Sequence, residues 1–446
     1  MRSRRLLVAL GALLLLAAGG AAALFLSNRR DVTTTSEAAY DAYKEAIANQ
    51  RRFYNKEARL GFARALELDP RFAMAMLGLA HEAKDEEQAG ALIKRAAREE
   101  SRLTERERLH VRLELAWVDK RRDDMLTAAK ELRQKYPNDV RGAQVLAGTE
   151  LAKGETEKAI KIFEELLAVD PNNAEAYNLI GYFHGYRGEY DKAMEALTKY
   201  KFISPDNANP FDSLGEVQAY SGRYNEAIEN LHRALAIKPD FLESYGHLGV
   251  VYEGMGEYTK AFDSYVKASE LSEQDGMRRG FLYAAFRAAC EGEDSTRVQE
   301  VQARLAKVPV HPKYGELDTA ITSAAVDVCL GRAAEAMPKL AVVKAKFEEL
   351  YAKEKEILPA GWKPHDFGLV FLTAMALEKL GKTDEALAMW KLNADPPNAY
   401  HDFKDRRYVY EARAHVAEIL ARRGDLDAAE KLIAENRKWN PSWAPS

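Results

Sequence analysis

From Val140 to Asp275 one pattern recurs four times at an unbroken period of 34 residues. Gly154, Gly188, Gly222 and Gly256 mark the step. Ala159, Ala193, Ala227 and Ala261 follow each glycine by five residues, and the small residues Ala147, Gly181, Gly215 and Gly249 precede it by seven. Pro171, Pro205 and Pro239 keep the same spacing. A period of this length constrains the fold before composition is considered. It belongs to arrays of helix pairs, each too small to bury its own apolar face, which therefore stack on their neighbours.

The residue types fit that reading position by position. Tyr177, Ile180, Gly181 and His184 share one face of a first helix. Gly188 ends it, because glycine reaches the left-handed conformation without steric cost. A second helix begins near Tyr190 with Ala193, Leu197 and Tyr200 on its inner face, and Pro205 stops it. Gly181 and Ala193 are small because the paired helices approach closely there, and a larger side chain would overpack by about 1–3 kcal/mol.

The set Phe211, Leu214, Gly215, Tyr224, Ala227, Leu231, Ala234 and Pro239 resembles the tetratricopeptide repeat, as does Tyr245, Leu248, Gly249, Tyr252, Gly256, Tyr258, Ala261, Tyr265 and Ala268. The resemblance implies an all-α, right-handed α-solenoid; counting units along the sequence gives about eleven such helix pairs, and the apolar N-terminal run adds one transmembrane or signal helix before them. It implies binding of partners on the array and leaves the partner unidentified. The stretch 96–139 further resembles the repeat region attached to some bacterial kinases and winged-helix regulators, without either domain.

Four regions follow along the chain. Residues 1–30 form a signal anchor or signal peptide, 31–36 a polar tether, 37–275 the repeat array, and 276–443 a degenerate continuation with insertions at 351–366 and 394–405. In the first region Arg2, Arg4 and Arg5 precede an uncharged run from Leu6 to Leu26, with Arg29 and Arg30 after it. A spanning helix needs roughly 20 such residues. Ala21-Ala22-Ala23 would suit a signal peptidase, but Leu24-Phe25-Leu26 carries the apolar run past that point, which favours a retained anchor over a secreted chain. Its basic flank keeps the N-terminus cytoplasmic and the repeats extracytoplasmic, in the periplasm if the source is bacterial. In the last region, an unusually long helix from Ala333 to Leu358, bent at Pro338, is expected. Trp362, Tyr400 and Phe403 of the insertions, with Trp439 and Trp443 near the end, are further contact candidates.

Catalytic signatures are not found: no phosphate-binding loop, no His-Glu-x-x-His and no Gly-x-Ser-x-Gly. No catalytic residue, cofactor or metal is assigned. His184 and His247 read as packed or hydrogen-bonded residues, and His365-Asp366 and His401-Asp402 as weak site candidates. Cys290 and Cys329 occupy the same offset in successive units. With helix axes about 8–10 Å apart, they are expected as two buried free thiols.

What remains is recognition. With 65 Lys and Arg against 69 Asp and Glu, the chain is no nucleic-acid binder by charge. By resemblance, the first helix of each unit lines the binding face through fixed positions. Here these are Glu175, Asn178, Tyr182 and Tyr186; Asn209, Asp212, Glu216 and Tyr220; and Glu243 and Glu253. Acids interleaved with tyrosines suit a protein or peptide partner carrying Lys or Arg. The same acids are equally compatible with a plain solvated face. Self-association through the array ends is the alternative mode of action, and an enzyme site in the C-terminal insertions a more distant one.

Overall fold

A computed structural model describes residues 31–83, 85–310, 315–354, 366–396 and 403–439. These residues hold 22 α-helices and no strand, which is the number that eleven helix pairs require. In chain order they are α1 (Glu37–Arg51), α2 (Asn55–Leu68), α3 (Ala73–His81), α4 (Glu86–Ala97), α5 (Glu105–Val118), α6 (Arg122–Lys135), α7 (Val140–Leu151) and α8 (Thr156–Val169). There follow α9 (Ala174–Tyr186), α10 (Tyr190–Ile203), α11 (Ala208–Tyr220), α12 (Tyr224–Ile237), α13 (Leu242–Gly254), α14 (Tyr258–Leu271), α15 (Asp275–Glu291) and α16 (Ser295–Leu305). The last six are α17 (Gly315–Cys329), α18 (Ala333–Glu354), α19 (Phe367–Lys379), α20 (Thr383–Ala394), α21 (Phe403–Arg422) and α22 (Leu426–Trp439). The chain divides into two compact units, one of 31–149 with 165–171, the other of 150–164 with the described residues from 172 onward. Odd-numbered helices are the first of each pair and even-numbered helices the second.

Local chemistry sets the helix ends. The Ser36 hydroxyl accepts from the Ala39 amide at 3.1 Å to start α1, and Asp85 does the same for α4 at 2.7 Å. A capping box, Thr104 with Glu107, starts α5. At the turn between the helices of a pair, Gly188 takes φ 75°, and Gly154, Gly222 and Gly256 repeat it. The equivalent turns at Phe53, Lys120 and Glu293 reach φ 60°, 57° and 52° without glycine, a strain of about 1–3 kcal/mol each.

The core lies between pairs as much as within them. Leu197 and Tyr200 of α10 pack with Leu214 and Val217 of α11, Leu231 of α12 with Leu248 and Val251 of α13, and Phe262 and Tyr265 of α14 with Leu282 and Phe286 of α15. The small residues do what their spacing predicts. A methyl group on Gly215 would stand 2.8 Å from Leu231 Cγ and 3.2 Å from the Ala227 carbonyl, and one on Gly181 2.6 Å from Leu197 Cγ.

The segment 31–36 is docked to the first unit. Val32 and Thr34 are buried. The Thr33 amide and hydroxyl both donate to the Glu107 carboxylate, at 2.6 and 2.5 Å, across 74 residues of sequence. Thr34 donates to Asp69 at 2.6 Å. The same Glu107 carboxylate accepts from the amide and hydroxyl of Thr104, both at 2.8 Å, so a nearly inaccessible charge is fully hydrogen-bonded.

Cys290 and Cys329 form a disulfide, with Cα atoms 5.1 Å apart, which corrects the expectation of two free thiols. Helix-axis separation exceeds the Cα separation of residues on facing sides. Each Cα stands about 2.3 Å off its axis, so two residues on facing sides of helices roughly 8–10 Å apart have Cα atoms only about 4–5 Å apart. The helix expected over 333–358 is described over Ala333–Glu354, with Pro338 inside it; at 22 residues it is the longest among the described residues. The expected membrane segment, 1–30, lies outside the described residues, as do Trp362, His365, Tyr400, His401, Asp402 and Trp443. Among the described residues no helix is long and apolar enough to cross a membrane.

Two stability measurements check this packing. Gly215→Ala is expected to lower unfolding free energy by about 1–3 kcal/mol in urea titration, whereas Gly256→Ala meets no steric contact and acts only through its positive φ. Replacing both cysteines by serine, or adding reductant, is expected to cost up to about 4 kcal/mol for a closed loop of this size, read as a fall in Tm. An unchanged Tm would show that the bond does not form.

Candidate functional site

The first helices α9, α11 and α13 carry the ten residues expected on the binding face. Five of them, Asn178, Asn209, Asp212, Glu216 and Glu253, are buried. Glu175, Tyr182, Tyr186, Tyr220 and Glu243 are partly exposed. The expected open acidic surface is therefore corrected: its central carboxylates are enclosed and paired.

His247, on α13, joins two of them. Its Nδ1 lies 3.0 Å from Asp212 Oδ1 and its Nε2 3.3 Å from Glu216 Oε1, both on α11. Burial by itself lowers the pKa of this imidazole, but the Asp212 and Glu216 carboxylates outweigh burial and hold it well above 6.5. The shift favours the imidazolium form, which can donate from both nitrogens to these two carboxylates. Ser244 adds a 2.7 Å hydrogen bond to Asp212. From α9, the Tyr182 hydroxyl donates to Glu216 at 2.7 Å and lies 3.2 Å from the Ser213 hydroxyl. Burial, then the Glu216 and Asp212 charges, raises the Tyr182 pKa well above 10. Three consecutive first helices are thus joined through two carboxylates on the middle one.

The arrangement recurs. On α13 the Glu253 carboxylate receives Arg287 of α15 at 2.9 and 3.2 Å and the Tyr265 hydroxyl at 2.5 Å. In the first unit Glu114 sits between His81 at 3.3 Å and Arg141 at 2.7 Å. Burial raises the Glu114 pKa, and His81 and Arg141 more than reverse this, lowering it to about 2. Asp139 likewise faces Arg106 and His110, at 2.8 and 3.0 Å. His184, the other histidine singled out, is hydrogen-bonded to Glu189 at 2.7 Å. Both histidines are packed and paired, in line with the sequence reading.

Five further positions of the face differ from these. Burial, with the nearby Asp212 charge, raises the Glu243 pKa to about 7. Asn178 is buried and its Oδ1 has no hydrogen-bond partner. Asn209 is spent locally, donating to the Tyr200 hydroxyl at 3.1 Å. Tyr186 and Tyr220 pack by part of their surface on the α10–α11 core and keep the rest accessible. No cluster of three or more His, Cys, Asp or Glu among the described residues is arranged to hold a metal ion. An open groove of about 500 Å³ lies on the second-helix side, lined by Asp191, Met194, Thr198, Arg223 and Phe202, the last 86% exposed.

His247 and Arg287 are the residues that sequence reasoning passed over as part of this face. Their signal was a charge of opposite sign one period away: His247 follows Asp212 by 35 residues and Arg287 follows Glu253 by 34.

Stacked first helices with a continuous side-chain face define a helical-repeat scaffold for protein interactions. The central part of the chain matches tetratricopeptide-repeat models: those described as tetratricopeptide repeat match residues 146–208 and 242–275, and one described as TPR repeat matches 215–256. No curated protein matches the chain. Among solved structures, a crystal structure of MamA is 27% identical over 36% of this chain and 93% of its own, with a TM-score of 0.30. A second MamA crystal structure is 26% identical over 38% and 92%, at 0.30. A crystal structure of the APC/C hetero-tetramer Cut9-Hcn1 is 15% identical over 90% of this chain and 74% of that one, at 0.48.

The His247 bridge has a pH signature. Because its folded pKa stands above the unfolded value of 6.5, its contribution is complete below pH 6.5 and fades as pH rises through the folded value. The stability difference between the parent and His247→Gln should therefore be largest below about pH 6.5 and shrink steadily as pH rises above it. Glu114 works in the other direction. Its contribution is present above 4.5 and lost as pH falls toward about 2, so Glu114→Gln should remove part of the acid sensitivity of urea unfolding. A difference independent of pH in either pair would count against the assigned charges.

Proposed function

We propose that this protein is a membrane-tethered scaffold whose repeats bind protein or peptide partners outside the cytoplasm, on the face formed by the first helices. It acts by recognition and not by catalysis. The observation that carries the reading is the continuous face of α9, α11 and α13, where Tyr186 and Tyr220 stay accessible over a rigid, internally bonded polar layer. Rigid aromatic side chains of this kind dominate binding energy at interfaces. The Leu6–Leu26 run supports the tether. The disulfide supports placement of the repeats in an oxidising compartment, periplasmic if the chain is bacterial.

Basic character in the partner has less support than the sequence suggested, because Asp212, Glu216 and Glu253 are already matched by His247 and Arg287. Glu175 and Glu243 remain as partly exposed acids at the starts of α9 and α13. Tyr182 serves the internal network instead of acting as an anchor.

The test begins with crosslinking in membranes to identify a partner. Against that partner, Tyr186→Ala and Tyr220→Ala are each expected to speed dissociation by roughly tenfold or more with unchanged helicity. Tyr182→Phe should mainly alter stability. If both alanine variants remain folded and bind like the parent, the first-helix face is not the site, and the Phe202 groove becomes the surface to examine.

A further inference from the structure

The docked segment 31–36 places the chain's entry point at one end of the first unit, and that end exposes cations. The bonds run from Thr34 to Asp69, from Asp69 to the Arg71 amide, and from the Arg71 side chain to Glu99, which directly follows Arg98 at the C-terminus of α4. Along this path the carboxylates are taken up internally: Asp69 by Thr34, Glu99 by Arg71 and Arg102, Glu100 by Arg112 and Glu107 by Thr33. Lys94 and Arg95 on the last turn of α4 and Arg98 at its C-cap are exposed, and among the described residues none of the three forms an ion pair. A helix C-terminus favours cations, but three exposed ones exceed what a cap requires.

We propose that this end of the first unit, centred on Lys94, Arg95 and Arg98, is a docking surface for anionic lipid headgroups. The inference rests on the tether reading and deepens it. Six residues separate Leu26, the last of the apolar run, from the docked Thr33, a reach over the seven Cα–Cα steps of at most roughly 25 Å when fully extended. Part of that reach is used in crossing the headgroup layer. Because Thr33 is bonded to Glu107, the segment is no free spacer, and it holds this end within a short distance of the bilayer. Each Lys or Arg brought to an anionic surface favours the docked state about fivefold. This end of the first unit is therefore held against the membrane it is tethered to, not suspended from it.

The test uses the full-length chain with Ala91→Cys, an exposed position one turn before Arg95 on α4. Both native cysteines are paired, so an environment-sensitive fluorophore attaches at one place. The labelled chain is reconstituted into phosphatidylcholine vesicles, or into vesicles with roughly 30% phosphatidylglycerol, each containing headgroup spin-labelled lipid. Quenching should be several-fold stronger in the anionic vesicles. It should fall to the neutral-vesicle level in about 1 M salt and in the triple variant Lys94→Gln/Arg95→Gln/Arg98→Gln. Equal quenching in both vesicles, or none in either while the chain resists alkaline carbonate extraction, overturns the docking surface and leaves the tether standing. Release by carbonate refutes the tether separately; quenching in anionic vesicles before extraction would then still support the surface, and its absence would overturn it. Shielding of the label by soluble polyglutamate but not by anionic vesicles overturns it in favour of an acidic protein partner.

Discussion

In a stacked array no helix pair has a core of its own, so every unit depends on how closely its neighbours approach, and the approach of the first helices sets the rest. At α11 and α13 that approach is made by charge: Asp212 and Glu216 on one helix, the His247 imidazolium on the next. Burying two carboxylates is costly unless each is paired and hydrogen-bonded. Both conditions are met here, with Ser244 and Tyr182 supplying the remaining donors. The same solution at Glu253 with Arg287, and at Glu114 with Arg141 and His81, makes these polar contacts a device that fixes register between successive units. The apolar contacts between second helices and their neighbours supply the larger driving force.

This division of labour bears on function. A binding face whose acids are satisfied internally offers shape, aromatic surface and a few peripheral charges. Its rigidity limits the ordering cost of binding, which is where preorganised interfaces gain. Tyr186 and Tyr220 fit that description because their rings are partly seated on the core beneath them. The disulfide between α15 and α17 fixes the equivalent approach in the degenerate half by a covalent route. Near the opposite end of α15, Arg279 does so by hydrogen bonds to the Leu305 and Val308 carbonyls and to Asp318.

Much of the fold is legible in the sequence because the period is carried by residues whose roles are steric. Gly215 is small because Leu231 stands where its Cβ would be, and Gly188 is glycine because its turn is left-handed. Such requirements repeat with the unit and show as a pattern. The candidate face was legible in position but not in character. Offsets along one helix identify Asp212, Glu216 and Glu253 as facing the neighbouring first helix; whether they meet solvent or a cation depends on what the next unit carries one period on. Cys290 and Cys329 failed for a related reason, since helix axes were compared where facing Cα atoms decide. The docking of Thr33 onto Glu107 spans 74 residues with no repeat to announce it.

The most direct test of this account is a double-mutant cycle across α13 and α15, using Glu253→Gln, Arg287→Gln and both together, each followed by urea unfolding. If buried charge pairs hold successive first helices in register, the two positions should be coupled by roughly 1–3 kcal/mol, with the double variant more stable than the sum of the single losses implies. Additive losses, with coupling within about 0.3 kcal/mol of zero, would contradict it and return these acids to the solvated face that the sequence alone allows.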